Sequence, residues 1–242
     1  MRLIAWNANF NGKRRTLEQD AEILAPLHAD ILVISESAAP SPLNPLGATW
    51  VGRNAVGLAV VVKAGLSVKQ HPANDYAPTL MMGLEVSGAC PFFLLATWPV
   101  KEPLGPSYHQ TLMSGLELFS DRFPRMPAVM AGDFNSSTKV ASQSKTHPKF
   151  VKAANDLGLV SAYHYHSGEL PGSESGPTYR HGNGIDKLFH IDYCFVSNEI
   201  APCATVSVLR SEYWSALSDH YPVVLDIPDS RLSTNAKLAQ VA

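Results

Sequence analysis

Cysteine is scarce in this chain. Only Cys90, Cys194 and Cys203 occur in 242 residues, too few and too scattered for a disulfide framework or a cysteine metal cluster. Two of them sit in apolar runs, where a thiol packs as a small hydrophobe, and a reducing compartment fits. Long apolar runs are missing too. No stretch reaches the roughly 20 residues that span a bilayer. Residues 1–6 start with a basic Arg2, but Asn7, Asn9 and Asn11 break the apolar run too early for a leader. The expectation is a cytoplasmic monomer with no membrane contact. An excess of positive charge is absent as well: 19 Lys and Arg face 21 Asp and Glu, a net charge of −2. The totals therefore show no basic face for a long duplex, which leaves room only for a local patch. Repeats, linkers and low-complexity tracts are also lacking.

What is present is ample core material, 45% apolar against 17% charged residues, as in a globular domain. Residues 3–6 and 31–34 read as buried strands. Between them, Thr16 and Gln19 have capping-box spacing ahead of a helix, so strand, helix and strand form a parallel unit. Residues 49–51, 56–62, 80–86 and 92–98 read as further strands, and the last two look antiparallel, which argues for a mixed sheet. Residues 67–76 read as irregular and 99–106 as a loop carrying Lys101 and Glu102. Ser107 caps a helix through Leu112, Met113, Leu116 and Phe119. A helix over 149–157 stops at Gly158. Residues 167–184 form a glycine-rich loop interrupted by Thr178-Tyr179-Arg180. Strands follow over 189–196, 204–209 and 221–227. One catalytic domain over 1–228 and a polar tail over 229–242 are expected.

The chain is organised around Ala131-Gly132-Asp133-Phe134-Asn135. A short apolar strand at 127–130 precedes it and a polar loop follows, so an acid and an amide stand just past a core strand, where open α/β sheets place their chemistry. Glu36 and Asp219 likewise stand at strand ends, Asp192 lies inside a strand, and His220 abuts one. Polar groups beside core strands cost free energy unless paired. Carboxylates and amides suit a hard cation such as Mg²⁺ or Mn²⁺, and such a cation with a His–Asp pair is suited to phosphate ester hydrolysis.

Together these motifs resemble the endonuclease/exonuclease/phosphatase family, which includes exonuclease III-like and DNase I-like nucleases and several phosphodiesterases. The matching pieces are Trp6-Asn7-Ala8-Asn9, Ile34-Ser35-Glu36-Ser37, Gly132-Asp133-Phe134-Asn135, Ile191-Asp192-Tyr193 and Ser218-Asp219-His220-Tyr221-Pro222-Val223, with Thr178-Tyr179-Arg180 and Tyr108 in support. Ser35 departs from the glutamine that commonly precedes the family's glutamate. The resemblance covers residues 1 to about 228 and implies a four-layer α/β sandwich of two mixed sheets flanked by helices.

It also implies a divalent-metal-dependent phosphodiesterase. His220, held by Asp192, would contact the scissile phosphate as base or as electrostatic stabiliser. Asp133 would handle the proton of the attacking water or the leaving oxygen. Asn7, Asn135 and Tyr108 would steady the phosphate. Glu36, Asp219 and Asn7 would serve the metal, and Asn9, Arg180 and His190 would reach the substrate. DNA, with abasic sites as one candidate target, is the first substrate reading; a small nucleotide, sugar or lipid phosphate ester is the second. The best local basic stretch is 139–152. A binding protein that has lost catalysis would lack one of Glu36, Asp133, Asp192 or His220, and all four are present.

Overall fold

The first strand shows how the layers arise. In β1 (Arg2–Asn7) the side chains alternate, and both faces are buried. Leu3 and Ala5 join one core cluster, Ile4 and Trp6 another. A strand buried on both faces must lie between two apolar layers.

The computed structural model describes residues 1–71, 80–101, 105–182 and 187–229. Expectations for Glu102, for residues 72–76, for Asn183 and Gly184 and for the tail from 230 onward fall outside them. After β1 come α1 (Phe10–Lys13), α2 (Leu17–Leu24), β2 (Ile31–Ala38), β3 (Thr49–Arg53), β4 (Val56–Val62), β5 (Ser67–Gln70), β6 (Met81–Ser87) and β7 (Phe92–Thr97). Then follow α3 (Tyr108–Leu118), β8 (Ala128–Asp133), α4 (His147–Asp156), β9 (Leu159–Ser161), α5 (Ala162–Ser167), β10 (Tyr179–Arg180) and β11 (Leu188–Phe189). The chain continues through β12 (Asp192–Ser197), β13 (Thr205–Val208), α6 (Glu212–Leu217) and β14 (Val223–Asp226).

Two six-stranded sheets form, in the orders β13-β14-β1-β2-β4-β3 and β5-β6-β7-β8-β12-β9. Each has one parallel pair near its middle, β1 with β2 and β7 with β8, and antiparallel neighbours elsewhere. The inner faces meet in one cluster, with Val33, Val60 and Leu225 from the first sheet against Leu94, Val129 and Val196 from the second. The outer face of the second sheet, with Phe93 and Phe195, packs on α3 and α4 through Leu112, Leu116 and Phe150. The outer face of the first packs on α2 and α6 through Leu17, Leu24 and Trp214. The result is helix, sheet, sheet, helix: the expected four-layer sandwich. Among the described residues no helix is long and apolar enough to cross a membrane. The three cysteines are free thiols.

The expected capping boxes are present. Thr16 and Gln19 close the start of α2, and Ser107 and Gln110 that of α3. Four strand expectations are corrected. Residues 67–70 are a strand, because β5 hydrogen-bonds along the edge of β6, a partner that local polarity does not reveal. Asp133 is the last residue of β8 rather than the first beyond it. β2 does not stop before Ser35 but continues to Ala38 through a bulge between Ile34 and Ser37. The run 189–196 is broken at His190 and Ile191, so Asp192 opens β12 instead of lying inside a strand. There the N–H groups of Ile191 and Asp192 both donate to Thr178 Oγ1, at 3.0 Å each.

Candidate active site

Strand direction brings the polar residues together. β1, β2 and β8 end at Asn7, the Glu36 bulge and Asp133, while β12 begins at Asp192 directly opposite Asp133. β14 runs antiparallel to β1, so the segment just before it, with Asp219 and His220, starts at the same end. Two sheets thus deliver their functional side chains to one rim of the sandwich.

His220 and Asp192 form the centre. His220 Nδ1 lies 2.9 Å from Asp192 Oδ2 and 3.2 Å from Oδ1. They are 5% and 1% exposed, so little water competes with the pair. Burial alone would drive the imidazole toward its neutral form, but the Asp192 charge and hydrogen bond, helped by Asp133 and Asp219, outweigh it and raise His220 to about 10. His220 is therefore an imidazolium at neutral pH. Burial also dominates at Asp133, and the Asp192 charge adds to it, so this carboxyl is pushed up to about 7.

The supports are specific. Ser218 Oγ donates to Asn7 O and accepts from His220 N, tying the histidine loop to the end of β1. Trp6 Nε1 donates to His220 O. Arg15 is ion-paired with buried Asp20 and donates to Ala8 O and Leu217 O, so one guanidinium fixes the chain after β1 and the chain before Ser218. Gln143 clamps the loop after β8, donating to Asn135 O and accepting from Ser137 N.

Asn7 sits 1% exposed between the acids. Its Oδ1 accepts from Asn9 N at 2.9 Å, which turns its Nδ2 to Asp133 Oδ2 at 2.9 Å and Glu36 Oε1 at 3.2 Å. Asn7 thus presents its N–H groups to the carboxylates and orders Glu36 and Asp133, while its Oδ1 accepts the Asn9 N–H and keeps a second lone pair. Glu36 is raised by burial, an effect that the Asn7 hydrogen bond partly offsets. Its φ of 47°, like the 50° of Asn135, is left-handed. Such a backbone costs roughly 1–3 kcal/mol and is characteristic of functional sites.

Glu36, Tyr108, Asn135, Asp219 and His220 all line one cavity of about 440 Å³. Asn135 Nδ2 lies 3.2 Å from both Asp133 Oδ2 and Pro99 O. Tyr108 opens α3, its phenol raised by burial and then by Asp133 and Glu36. The three expected substrate contacts are not among the residues that line this cavity. Asn9 caps α1 and orients Asn7. Arg180 donates to Ser215 O. His190 is buried at 1% exposure, with Nδ1 at Gly176 O and its ring against Tyr163 and Tyr193; it is a core histidine, because the break before β12 turns it inward.

Sequence reading missed part of the cavity wall: Tyr179, His181 and Phe189. The Tyr179 ring lies 4.5 Å from that of His220, and the two residues form a backbone bridge. The sole sequence signal was the Thr178-Tyr179-Arg180 segment itself, since a bridge across 40 positions leaves no local trace.

Asp133, Asp192 and His220 each offer a ligand atom, all within 4.8 Å of one another, a group that could hold a divalent metal ion. This differs from the expected set of Glu36, Asp219 and Asn7. Glu36 and Asp219 line the same cavity as His220.

No protein-family model and no curated protein sequence matches the chain. Solved structures do match. A 3′ phosphatase from Neisseria, bound to a product DNA hairpin, is 23% identical, with 94% of this chain and 99% of that one covered and a TM-score of 0.68. A 3′-5′ exonuclease from Neisseria meningitidis is 22% identical over the same shares, with a TM-score of 0.70. An AP endonuclease from Archaeoglobus fulgidus is 14% identical, again over 94% and 99%, with a TM-score of 0.68. With two mixed sheets between helices, the chain has a DNase I-like α/β sandwich fold, shared with these neighbours along nearly its whole length.

Proposed function

We propose that the protein hydrolyses phosphodiester bonds in DNA with Mg²⁺ or Mn²⁺ as cofactor. The observation that carries this reading is the buried His220–Asp192 pair set beside a second acid, Asp133, with His220 lining a cavity. The donor set fits a hard cation: carboxylates from Glu36, Asp133, Asp192 and Asp219 and no cysteine. Glu36 and Asp219 would hold it, with Asn7 fixing the orientation of Glu36. When bound, such an ion neutralises charge on the phosphoryl oxygens.

The chain's own residues do the rest. His220, kept charged by Asp192, donates its Nε2–H to a phosphoryl oxygen and stabilises the charge that grows there. Because it is already protonated, it does not take the proton from water. That role falls to Asp133, whose carboxyl changes state near neutrality, where a general base is most effective. Asn135 and Tyr108 line the same space and orient the phosphate. The DNA named for the Neisseria 3′ phosphatase supports the substrate class by analogy.

A small phosphodiester is the second reading, favoured by the net charge of −2 and by a cavity of about 440 Å³, the size of a small-ligand pocket. The test is hydrolysis with Mg²⁺ or Mn²⁺ of duplex DNA, duplex with one abasic site, single-stranded DNA and bis-p-nitrophenyl phosphate. Metal-dependent cleavage of DNA is expected. Turnover of the small diester alone moves the assignment to the second reading, and no turnover of any substrate refutes both.

A further inference from the structure

The hairpin of β10 and β11 stands beside the cavity and carries a second histidine toward it. Tyr179, whose ring covers His220, also reaches His181: its hydroxyl lies 3.0 Å from His181 Nδ1. Burial and the nearby acids hold the Tyr179 phenol at about 12, so it keeps its hydrogen and is available as the donor in this bond. A neutral imidazole that accepts at Nδ1 carries its own hydrogen at Nε2. The Tyr179 and Phe189 rings lie 5.9 and 6.4 Å from that of His181, the latter edge-on at 86°. His181 is thus an exposed cavity-lining side chain with a fixed orientation and one directed N–H.

Two lysines belong to the same wall. His181 N donates to Lys187 O at 2.9 Å, which sets Lys187 opposite His181 across the hairpin. Lys139 Nζ reaches Leu188 O at 3.4 Å from the loop that forms the adjoining wall. Tyr179 packs its ring against His220 and sets its hydroxyl on His181, so the two histidines line one cavity on either side of this tyrosine. A lone phosphodiester has nothing to place there; a polynucleotide has its next phosphate.

Building on the phosphodiesterase reading, we infer that His181 and Lys187 form a subsite for the phosphate next to the scissile one, which makes a polynucleotide strand the favoured substrate. His181 donates from Nε2 to a phosphate oxygen, Lys187 supplies charge, and Tyr179 is the positioning residue that orients both histidines.

The test measures binding separately from chemistry. Anisotropy of a labelled single-stranded oligodeoxynucleotide is titrated in EDTA from 50 to 200 mM salt, and turnover of the oligonucleotide and of bis-p-nitrophenyl phosphate is measured with metal. His181→Ala and Lys187→Ala are each expected to weaken oligonucleotide binding by about three- to tenfold, and Lys187→Ala to reduce the salt slope by about 0.7. Tyr179→Phe, which keeps the ring and removes the hydroxyl, should weaken binding in the same direction as His181→Ala. Turnover of the small diester should stay within about twofold for His181→Ala and Lys187→Ala. Unchanged oligonucleotide binding in both alanine variants overturns the subsite, as does an equal loss on both substrates. If the unmodified protein cleaves no diester, the phosphodiesterase reading fails, while the anisotropy still decides whether His181 and Lys187 hold a phosphate.

Discussion

Gly132 has a φ of +139°, and a Cβ at this position would lie 2.0 Å from the carbonyl oxygen of Thr97 in the neighbouring strand. That oxygen belongs to the backbone of β7 and cannot move aside cheaply, and the φ is itself hostile to a side chain. Gly132→Ala is therefore expected to destabilise the protein by about 3 kcal/mol or more, through strain at a special backbone position. Thermal unfolding checks this; a melting temperature within about 2 °C of the parent would show that the strand pair yields. At the same scale, the sequence told much about the site. Glu36, Asp133, Asp192 and His220 are polar residues where apolar ones belong, a conflict readable without coordinates. The direction in which each side chain points was not readable. Asn7 turns its oxygen away because Asn9 N–H claims it, and Glu36 reaches the cavity from a bulge that no local pattern announces.

The elements divide in the same way. Strands with long apolar runs, such as β4, β7 and β8, could be read because they are buried on both faces. Elements defined by a partner elsewhere in the chain could not: β5 lies along β6, Tyr179 bridges to His220, and the short α5 and α6 carry their polar and aromatic residues without a long repeat. One element-scale consequence concerns pH. His147 opens α4, with Nδ1 2.9 Å from Ser136 Oγ and its ring 5.5 Å from that of Tyr193. Burial pushes it down to about 4. The folded state thus resists protonation that the unfolded chain accepts near pH 6.5. Its contribution is complete above that pH and is lost as pH falls from about 6.5 to 4, on the order of 3 kcal/mol. Asp133, raised to about 7, works the other way: it disfavours folding as pH rises between about 4 and 7. The difference between two proteins is therefore the proper readout. Melting temperatures of the parent and of His147→Gln, taken from pH 8 to pH 4, should converge as pH falls; parallel curves would remove His147 from the acid response.

For the whole molecule, the decisive feature is two sheets, each built around a parallel pair, that end their functional strands at the same rim. Neither sheet holds a complete site. Asn7, Glu36 and His220 come with one, Asp133 and Asp192 with the other, and the His220–Asp192 bond crosses between them. The motif order pointed to this sandwich, while the seam that joins its halves became visible only with the coordinates. The seam is also where the proposed chemistry lies, so the most direct measurement is the metal-dependent turnover of a DNA diester by the parent and by Asp192→Asn, both shown to be folded by circular dichroism. The parent should turn over in Mg²⁺ or Mn²⁺, and Asp192→Asn should lose about 10³-fold or more in kcat, because His220 loses the charge that keeps it protonated and in place. An Asp192→Asn enzyme that is folded and within about tenfold of the parent would contradict the role given to the pair.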